Sequence, residues 1–206
     1  ISGELIQDAS IRSFGELGAY VPNFSVSENA VNTIITMRGI SIGGNQSFEQ
    51  SVGIFLDGVY LGRSRQARLG LFDLEQVEVL RGPQGILFGK NTLGGAINVR
   101  SAAPVVGEGL SGRVAASFES DNGEYFEGHI SGSVSENVAM RLAVMDRSID
   151  GYLDNVDLAA AYPNSPTTDE TIARIGLQWE LSESTSVALR YTYSDYRRVG
   201  QTAVVT

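Results

Sequence analysis

The sequence contains no cysteine, one lysine and one histidine. Without cysteine there is no disulfide framework, no thiolate metal site and no cysteine nucleophile. The single histidine, His129, cannot form a metal site alone, so neither a metal nor a cofactor is predicted. A transmembrane helix needs about 20 apolar residues in a row, and no such stretch occurs. These absences exclude several classes of function without yet indicating one.

The acidic charge is concentrated in the second half of the chain. Residues 1–104 carry 9 acidic and 8 basic side chains, a net charge of −1, whereas residues 105–206 carry 15 and 7, a net of −8. Neither half offers the basic face that nucleic acid requires, so no nucleic-acid partner is predicted. Fourteen of the 15 basic residues are arginines, which form bidentate ion pairs in partly buried settings; a GC-rich genome would give the same bias.

The first half reads as short elements punctuated by glycine. Ser13 is a candidate N-cap for a short helix with Phe14, Leu17 and Tyr20, and Pro22 ends it. Further along, Asp57-Gly58 is the two-residue signal of a tight hairpin. The predicted strands are Ile34–Met37, Gly53–Leu56, Val59–Leu61, Val77–Arg81 and Ala96–Arg100.

The second half reads as five longer strands. Each is close to the roughly 9–11 residues that a strand needs to cross a membrane. Apolar and polar residues alternate, so that Ile175, Leu177 and Trp179 share one face and Arg174, Gln178 and Glu180 the other. The predicted strands are Arg113–Ser120, Tyr125–Val134, Val138–Asp146, Thr171–Glu180 and Thr185–Asp195.

Alternation fits two architectures. A soluble β-sandwich turns its apolar face inward, whereas an outer-membrane barrel turns it to lipid. The connections favour the barrel, because Ser135–Asn137 and Leu181–Ser184 are short whereas Arg147–Glu170 is long and acidic. With the first strand rising from the periplasm, Asp121–Gly123 and Arg147–Glu170 are expected outside the cell.

Two segments of the first half carry a family resemblance. Residues 36–65 read TMRGISIGGNQSFEQSVGIFLDGVYLGRSR, and residues 71–104 read LFDLEQVEVLRGPQGILFGKNTLGGAINVRSAAP. Their ordered elements are an Arg-Gly step, an Asp-Gly hairpin, Glu-Val-Leu-Arg-Gly-Pro, Phe-Gly-Lys and Gly-Gly-Ala-Ile-Asn. Over nearly all of residues 1–104, the chain resembles the plug domain of TonB-dependent receptors.

The resemblance implies an α+β plug domain in residues 1–104, followed in residues 105–206 by about five antiparallel strands of a transmembrane β-barrel. Family members have 22 strands, so this would be a partial barrel and the chain a segment of a longer polypeptide. The plug would sit in the barrel lumen, facing the periplasm, in the cell outer membrane. The TonB box is missing here and would precede Ile1.

The implied function is binding and movement rather than covalent chemistry, so no enzyme is predicted. Members take up a scarce nutrient such as a ferric siderophore, haem, cobalamin or another small organic molecule. The implied partners are outer-membrane lipid, the ligand, and the inner-membrane TonB complex acting through a segment N-terminal to this chain. A signalling receptor of the same fold is the alternative, while the plug argues against a passive porin.

The resemblance also suggests candidate site residues. Segments Ser41–Gln50 and Gly62–Arg68 would be plug apices that contact ligand. Three clustered arginines would favour an anionic ligand, although pairing with barrel-wall carboxylates is an equal alternative. The ligand candidates are Gln46, Phe48, Arg63, Arg65 and Arg68. The candidates for scaffolding or gating of the plug are Arg38, Gly39, Asp57, Glu78, Arg81 and Gly82. For Arg38, Glu78 and Arg81 the resemblance implies ion pairs within the plug and to the barrel wall.

Some features imitate catalytic sites. The segment Gly85–Asn91 resembles a phosphate-binding loop, but only three residues separate its glycines and Asn91 follows the lysine, so a turn between strands is predicted instead. His129 falls on a polar strand face and is predicted to line the lumen. Asp57 is explained by turn chemistry. Asp73, Glu75 and Glu78 have no partner histidine, which disfavours acid–base catalysis.

Overall fold

A computed structural model describes residues 1–28, 33–41, 50–120, 122–154 and 164–200 of the chain. The fold is mostly β-structure with a few short helices. The chain divides into two compact units, Ile1–Ala102 and Ala103–Val204. Within the described ranges, no helix is both long enough and apolar enough to cross a membrane.

The described residues of the first unit form six strands and four short helices. The helices are α1 (Gly3–Asp8), α2 (Phe14–Leu17), the 3-10 helix η1 (Ser64–Arg68) and α3 (Gly85–Phe88). The strands are β1 (Phe24–Glu28), β2 (Thr33–Met37), β3 (Val52–Leu56), β4 (Val59–Tyr60), β5 (Leu74–Arg81) and β6 (Gly95–Ser101).

Four of these strands form one mixed sheet in the order β4-β3-β6-β5, in which β3 runs parallel to β6 and the other pairs are antiparallel. β1 and β2 form a separate antiparallel pair. Apolar side chains of the sheet are fully buried with those of the N-terminal helices, including Leu17, Ile54, Val77 and Ile97. This core is what holds the glycine-rich connections in place.

Local sequence signals account for two of the elements. Ser13 caps α2 as predicted, because its Oγ accepts a hydrogen bond from Glu16 N at 3.2 Å. The helix ends at Leu17, however, and Tyr20 lies beyond it with its ring half exposed. The hairpin prediction is confirmed: Asp57 and Gly58 connect β3 to β4 with φ values of 50° and 82°, the left-handed values that such a turn requires.

Other elements of the first unit differ from the sequence prediction. Helices α1 and η1 and strand β1 were not predicted. Gly85–Phe88 forms the short helix α3 where a turn was expected, and Gly89 ends it at a φ of 74°. These elements are four to six residues long, too short for a hydrophobic period to reveal them.

The second unit is dominated by one antiparallel sheet. Its strands are β7 (Ser111–Glu119), β8 (Gly123–Ser135), β9 (Val138–Ile149), β12 (Thr167–Ser182) and β13 (Thr185–Val199), and they lie in the order β13-β12-β9-β8-β7. The five predicted strands are therefore confirmed, each beside its neighbour in sequence. The two-residue strands β10 (Leu153–Asp154) and β11 (Asn164–Ser165) form a separate pair.

The connection predicted at Arg147–Glu170 is shorter in the structure, because β9 and β12 both extend into that range. Thr168 pairs with Ile149 at the far end of this ladder. Ser148 Oγ donates to Asp169 Oδ1 at 2.9 Å, and Thr171 Oγ1 donates to Asp146 Oδ2 at 2.6 Å. Polar side chains bonded across the two strands extend them beyond the apolar stretch from which the strand ends were predicted.

Candidate functional site

The two ends of the four-stranded sheet carry different groups. At one end are the Asp57-Gly58 turn and the paired residues Leu74 and Ser101. At the other end Val52, Gly95 and Arg81 lie side by side on β3, β6 and β5. Segment 41–50, which was predicted to contact ligand, leads directly into the second end. Residues 42–49, including Gln46 and Phe48, lie outside the described residues.

The three arginines predicted to bind ligand are not equivalent. Arg63 and Arg65 are exposed at the start of η1. Arg68, at its end, is half-buried, and its Nε donates to Oγ1 of buried Thr33 at 2.9 Å. That bond joins η1 to β2 across 35 positions of sequence. Arg63 and Arg65 are thus exposed to solvent, whereas Arg68 links η1 to β2.

Asp57 has a structural role that turn chemistry alone did not reveal. Its Oδ1 accepts a hydrogen bond from Ser101 N at 2.9 Å, and its Oδ2 accepts one from Ser101 Oγ at 2.6 Å. Ser101 is buried at the end of β6. The carboxylate therefore ties the β3–β4 hairpin to the last residue of the neighbouring parallel strand. Ser101 was absent from the candidate residues because 44 positions separate it from Asp57.

This arrangement predicts a large cost for Asp57→Ala. The substitution removes two charge-assisted hydrogen bonds, each worth about 1.5–3 kcal/mol, and leaves the Ser101 donors unpaired. We expect the free energy of unfolding of the plug region to fall by roughly 2–4 kcal/mol. Asp57→Asn keeps the turn and one acceptor oxygen, so it should cost about half as much. Equal stability of both variants and the parent in chemical denaturation would contradict this role.

Glu78 and Arg81 differ from the expected ion pairs. Glu78 accepts hydrogen bonds from two amides, Gln76 Nε2 at 3.2 Å and Asn98 Nδ2 at 2.8 Å. Arg81 is exposed at the end of β5, and within the described ranges no carboxylate pairs with it. Removing the Arg81 side chain should therefore cost this part of the chain little stability, since an exposed arginine contributes little.

Arg38, Gly39 and Gly82 form turns rather than ion pairs. Arg38 and Gly39 have φ values of 52° and 77°, and Arg38 N donates to Asn23 O at 2.8 Å. Gly82 follows β5 with a φ of 96°, and a Cβ placed on it would lie 3.7 Å from Arg38 Nη1. The Arg-Gly and Arg-Gly-Pro motifs therefore meet, with the Arg38 guanidinium beside the Gly82 backbone.

No catalytic or metal site emerges in the described ranges. Among those residues, no group of three or more histidine, cysteine, aspartate or glutamate side chains could hold a metal ion. His129 is half-buried on β8, opposite Arg113 and Ala143. Gly85–Asn91 contains the short helix α3, and its Asn91 Nδ2 donates to Tyr60 Oη at 2.8 Å.

The two faces of the second unit's sheet differ in exposure. The apolar face is the more exposed one, whereas a soluble protein would bury it. On β12, Glu170 and Arg174 are only 4% and 6% exposed, whereas Ile175 on the other face is 46% exposed. On β13, Leu189 is 62% exposed. The same exposed face carries the large apolar side chains Val114, Phe118, Phe126, Ile130, Leu142, Val144, Trp179, Tyr191 and Tyr193.

The apolar face forms continuous rows across the strands. Ile175 lies between Leu142 on β9 and Tyr191 on β13, and Leu142 in turn lies beside Ile130 on β8. The opposite face mixes charged and small residues with the buried side chains of Tyr125, Met145 and Ile172. On it, Arg147 Nη2 lies 3.5 Å from Glu119 Oε2. A sandwich buries its apolar face, so this pattern favours a sheet whose apolar face meets an apolar medium.

Comparisons with known proteins agree with this geometry. Residues 1–96 match the family model described as TonB-dependent Receptor Plug Domain. The chain is 32% identical over 106 residues to the pesticin receptor of Yersinia pestis, covering 50% of this chain and 16% of that protein. It is 25% identical over 199 residues to the ferrioxamine B receptor of Salmonella typhimurium, covering 92% of this chain and 26% of that protein.

A solved structure shares the fold. The ferric yersiniabactin uptake receptor of Yersinia pestis superimposes with a TM-score of 0.84 at 23% identity, covering 94% of this chain and 30% of that one. The chain thus spans between about a sixth and a third of the length of these relatives. The plug match, these relatives and the strand pattern together identify the chain as a member of the TonB-dependent receptors of the outer membrane.

Proposed function

We propose that this chain is part of a receptor that takes up a scarce nutrient across the outer membrane, driven by the TonB complex. The observation that carries the proposal is the exposed apolar face of five successive strands, joined in one chain to a matched plug. An apolar face of that kind suits lipid, and a plug suits a barrel wide enough to leave an aqueous channel.

In this proposal residues 1–104 are the plug and residues 105–206 begin a 22-stranded barrel. Within the described ranges, β7 and β13 each pair on one side only, so the sheet has two open edges. Open edges cannot persist in lipid, because their N–H and C=O groups have no water to bond. Further strands of the same polypeptide would close the sheet into a barrel.

The ligand we propose is a metal chelate, with a ferric siderophore as the first candidate. The names of two relatives support this choice, since one takes up ferric yersiniabactin and another is a receptor for ferrioxamine B. Arg63 and Arg65 are exposed and cationic, and would attract an anionic chelate. Gln46 and Phe48 are proposed, by resemblance alone, as further ligand contacts.

An uptake assay tests the proposed function. The full-length receptor is expressed in a host that lacks its own siderophore receptors, and a panel of chelates carrying radioactive iron is offered under iron limitation. We expect accumulation of at least one chelate, abolished when TonB is deleted. Binding of every chelate without accumulation would favour the signalling alternative. Accumulation that persists without TonB would contradict the proposal.

The two exposed arginines allow a sharper test of the ligand's charge. Arg63→Gln with Arg65→Gln removes two cations that could each form a charge-assisted hydrogen bond, worth about 1.5–3 kcal/mol. Affinity for the transported chelate should fall at least about tenfold, and its dependence on salt should flatten.

The matched control is Arg68→Gln, since that side chain already bonds Thr33. It should reduce the stability of the plug more than the affinity for the chelate. Unchanged affinity in the double variant would mean that Arg63 and Arg65 face the barrel wall instead of the ligand.

A further inference from the structure

Arg63 and Arg65 lie at the start of the 3-10 helix η1, and contacts with the rest of the first unit hold each end of this helix. At its C-terminal end, Arg68 bonds to Thr33. Within it, Arg63 N donates to Gln66 Oε1 at 2.9 Å, and Gln66 N donates to Arg63 O at 2.9 Å. Because so short a helix is not stable by itself, whatever fixes its N-terminal end decides where the two guanidinium groups lie.

The N-terminal end of η1 follows Tyr60, the last residue of β4. A Cβ placed on Gly62 would lie 3.2 Å from Tyr60 Cε1, so the backbone at position 62 passes close to the tyrosine ring. That ring packs on Phe55 of β3 with the ring centroids 5.4 Å apart, and Phe55 packs on Phe88 of α3 at 4.8 Å. The tyrosine ring therefore locates Gly62 and the arginine that follows it.

The hydroxyl group of the same tyrosine is held by Asn91. Asn91 Nδ2 donates to Tyr60 Oη at 2.8 Å, across 31 positions of sequence. Asn91 has a φ of 67°, a left-handed value that asparagine tolerates better than most residues. Both side chains are half-buried, so their hydrogen bond is partly protected from competition with water.

The turn that carries Asn91 is itself fixed to the sheet. Thr92 is only 2% exposed, its Oγ1 donates to Gly89 O at 2.7 Å, and its carbonyl accepts from Gln84 N at 3.0 Å. A Cβ on Gly53 of β3 would lie 2.7 Å from Thr92 Cγ2, so the turn packs directly against that strand. Asn91 thus presents its amide from a rigid base, and Tyr60 passes this position on to the start of η1.

We propose that Tyr60 is a positioning residue for Arg63 and Arg65. Its hydroxyl, held by Asn91, and its ring, placed against Gly62, fix the start of η1 before any chelate is bound. The two arginines then lose less conformational freedom when an anionic chelate binds, which lowers the entropic cost of binding. The inference rests on the proposed function in one respect, that Arg63 and Arg65 contact the chelate.

Distances between two spin labels, measured in the full-length receptor without any chelate, test whether Tyr60 fixes η1. The labels are attached at Arg65→Cys on η1 and Arg100→Cys on β6. Tyr60→Phe removes only the hydroxyl, and Asn91→Gly removes the amide at a position where glycine adopts the same backbone. Each variant should widen the distribution of label separations by about twofold, and the two together should widen it no further. Tyr20→Phe, which alters a half-exposed tyrosine elsewhere in the unit, is the control and should leave it unchanged.

Binding of a panel of radioactive ferric chelates that includes ferric citrate tests whether this positioning serves the arginines. Tyr60→Phe should weaken binding by about three- to tenfold in the parent receptor, and should have little effect once Arg63→Gln and Arg65→Gln are present. A general loss of stability would instead weaken binding equally in both backgrounds.

Unchanged label separations in Tyr60→Phe would overturn the proposal. Unchanged affinity in Tyr60→Phe, or an equal loss with and without the two arginines, would overturn it as well. A parent receptor that binds none of the chelates would refute the proposed function, and the label separations would still decide whether Tyr60 fixes η1.

Discussion

Ile175→Arg is expected to prevent the full-length receptor from assembling stably in a bilayer. Ile175 lies in the middle of the exposed apolar face, between Leu142 and Tyr191 on the neighbouring strands. If that face meets lipid, an arginine near the bilayer midplane costs about 2–4 kcal/mol, in addition to the lost apolar contact. The measurement is the urea midpoint of the receptor folded in lipid vesicles, together with the yield of folded protein.

The matched control is Gln178→Arg, on the same strand but on the opposite face. That face already carries Arg174, and Gln178 is itself polar and half-buried, so an additional arginine should change the urea midpoint little. A receptor that tolerates arginine at position 175 and unfolds with arginine at position 178 would have its faces reversed. In that case the soluble-sandwich interpretation would be correct.

Joining Ser2 to Gln76 by a disulfide should abolish uptake while leaving ligand binding intact. The two residues face each other in the bridge between the N-terminus and β5, which involves few hydrogen bonds. In the proposed function, a pull transmitted to the N-terminal end of the plug would reach β5 first through this bridge. Ser2→Cys with Gln76→Cys should therefore transport normally when reduced, lose nearly all transport when oxidised, and recover it when reductant is added.

A second disulfide controls for a general effect of cross-linking. Ser25→Cys with Thr36→Cys joins the facing residues of β1 and β2, which lie outside the four-stranded sheet. We expect this receptor to retain most of its uptake when oxidised. If both oxidised receptors transport at the parent rate, the N-terminal segment does not separate from β5 during uptake.

Features determined by neighbouring residues could be predicted from the sequence. The Asp57-Gly58 hairpin follows from the left-handed backbone that these two residues tolerate, and Ser13 caps α2 through a bond to a residue three positions away. The five long strands follow from apolar alternation. Each of these signals lies within a short window of sequence.

Features that depend on distant partners could not be predicted. The bond between Arg68 and Thr33 spans 35 positions, and that between Asp57 and Ser101 spans 44. Nothing in the sequence distinguishes Gly3 from other glycines at the start of a helix, yet a Cβ at this position would collide with Leu74 O. Glu78 was expected to pair with an arginine, yet it accepts hydrogen bonds from Gln76 on its own strand and from Asn98 on the neighbouring strand β6. In each case the partner is selected by packing of the sheet.

A lipid-accessibility scan along β12 in the full-length receptor tests most directly whether the apolar face of the sheet meets lipid. A nitroxide label is attached in turn at positions 172 to 179, and its collisions with oxygen dissolved in lipid are compared with its collisions with a water-soluble nickel chelate. If the apolar face meets lipid, oxygen accessibility should alternate with a period of two residues. Positions 175, 177 and 179 should be accessible to oxygen, and positions 172, 174 and 176 should be shielded from it. Oxygen accessibility at the even positions, or none at all at the odd ones, would contradict the claim that this sheet turns its apolar face to the outer membrane.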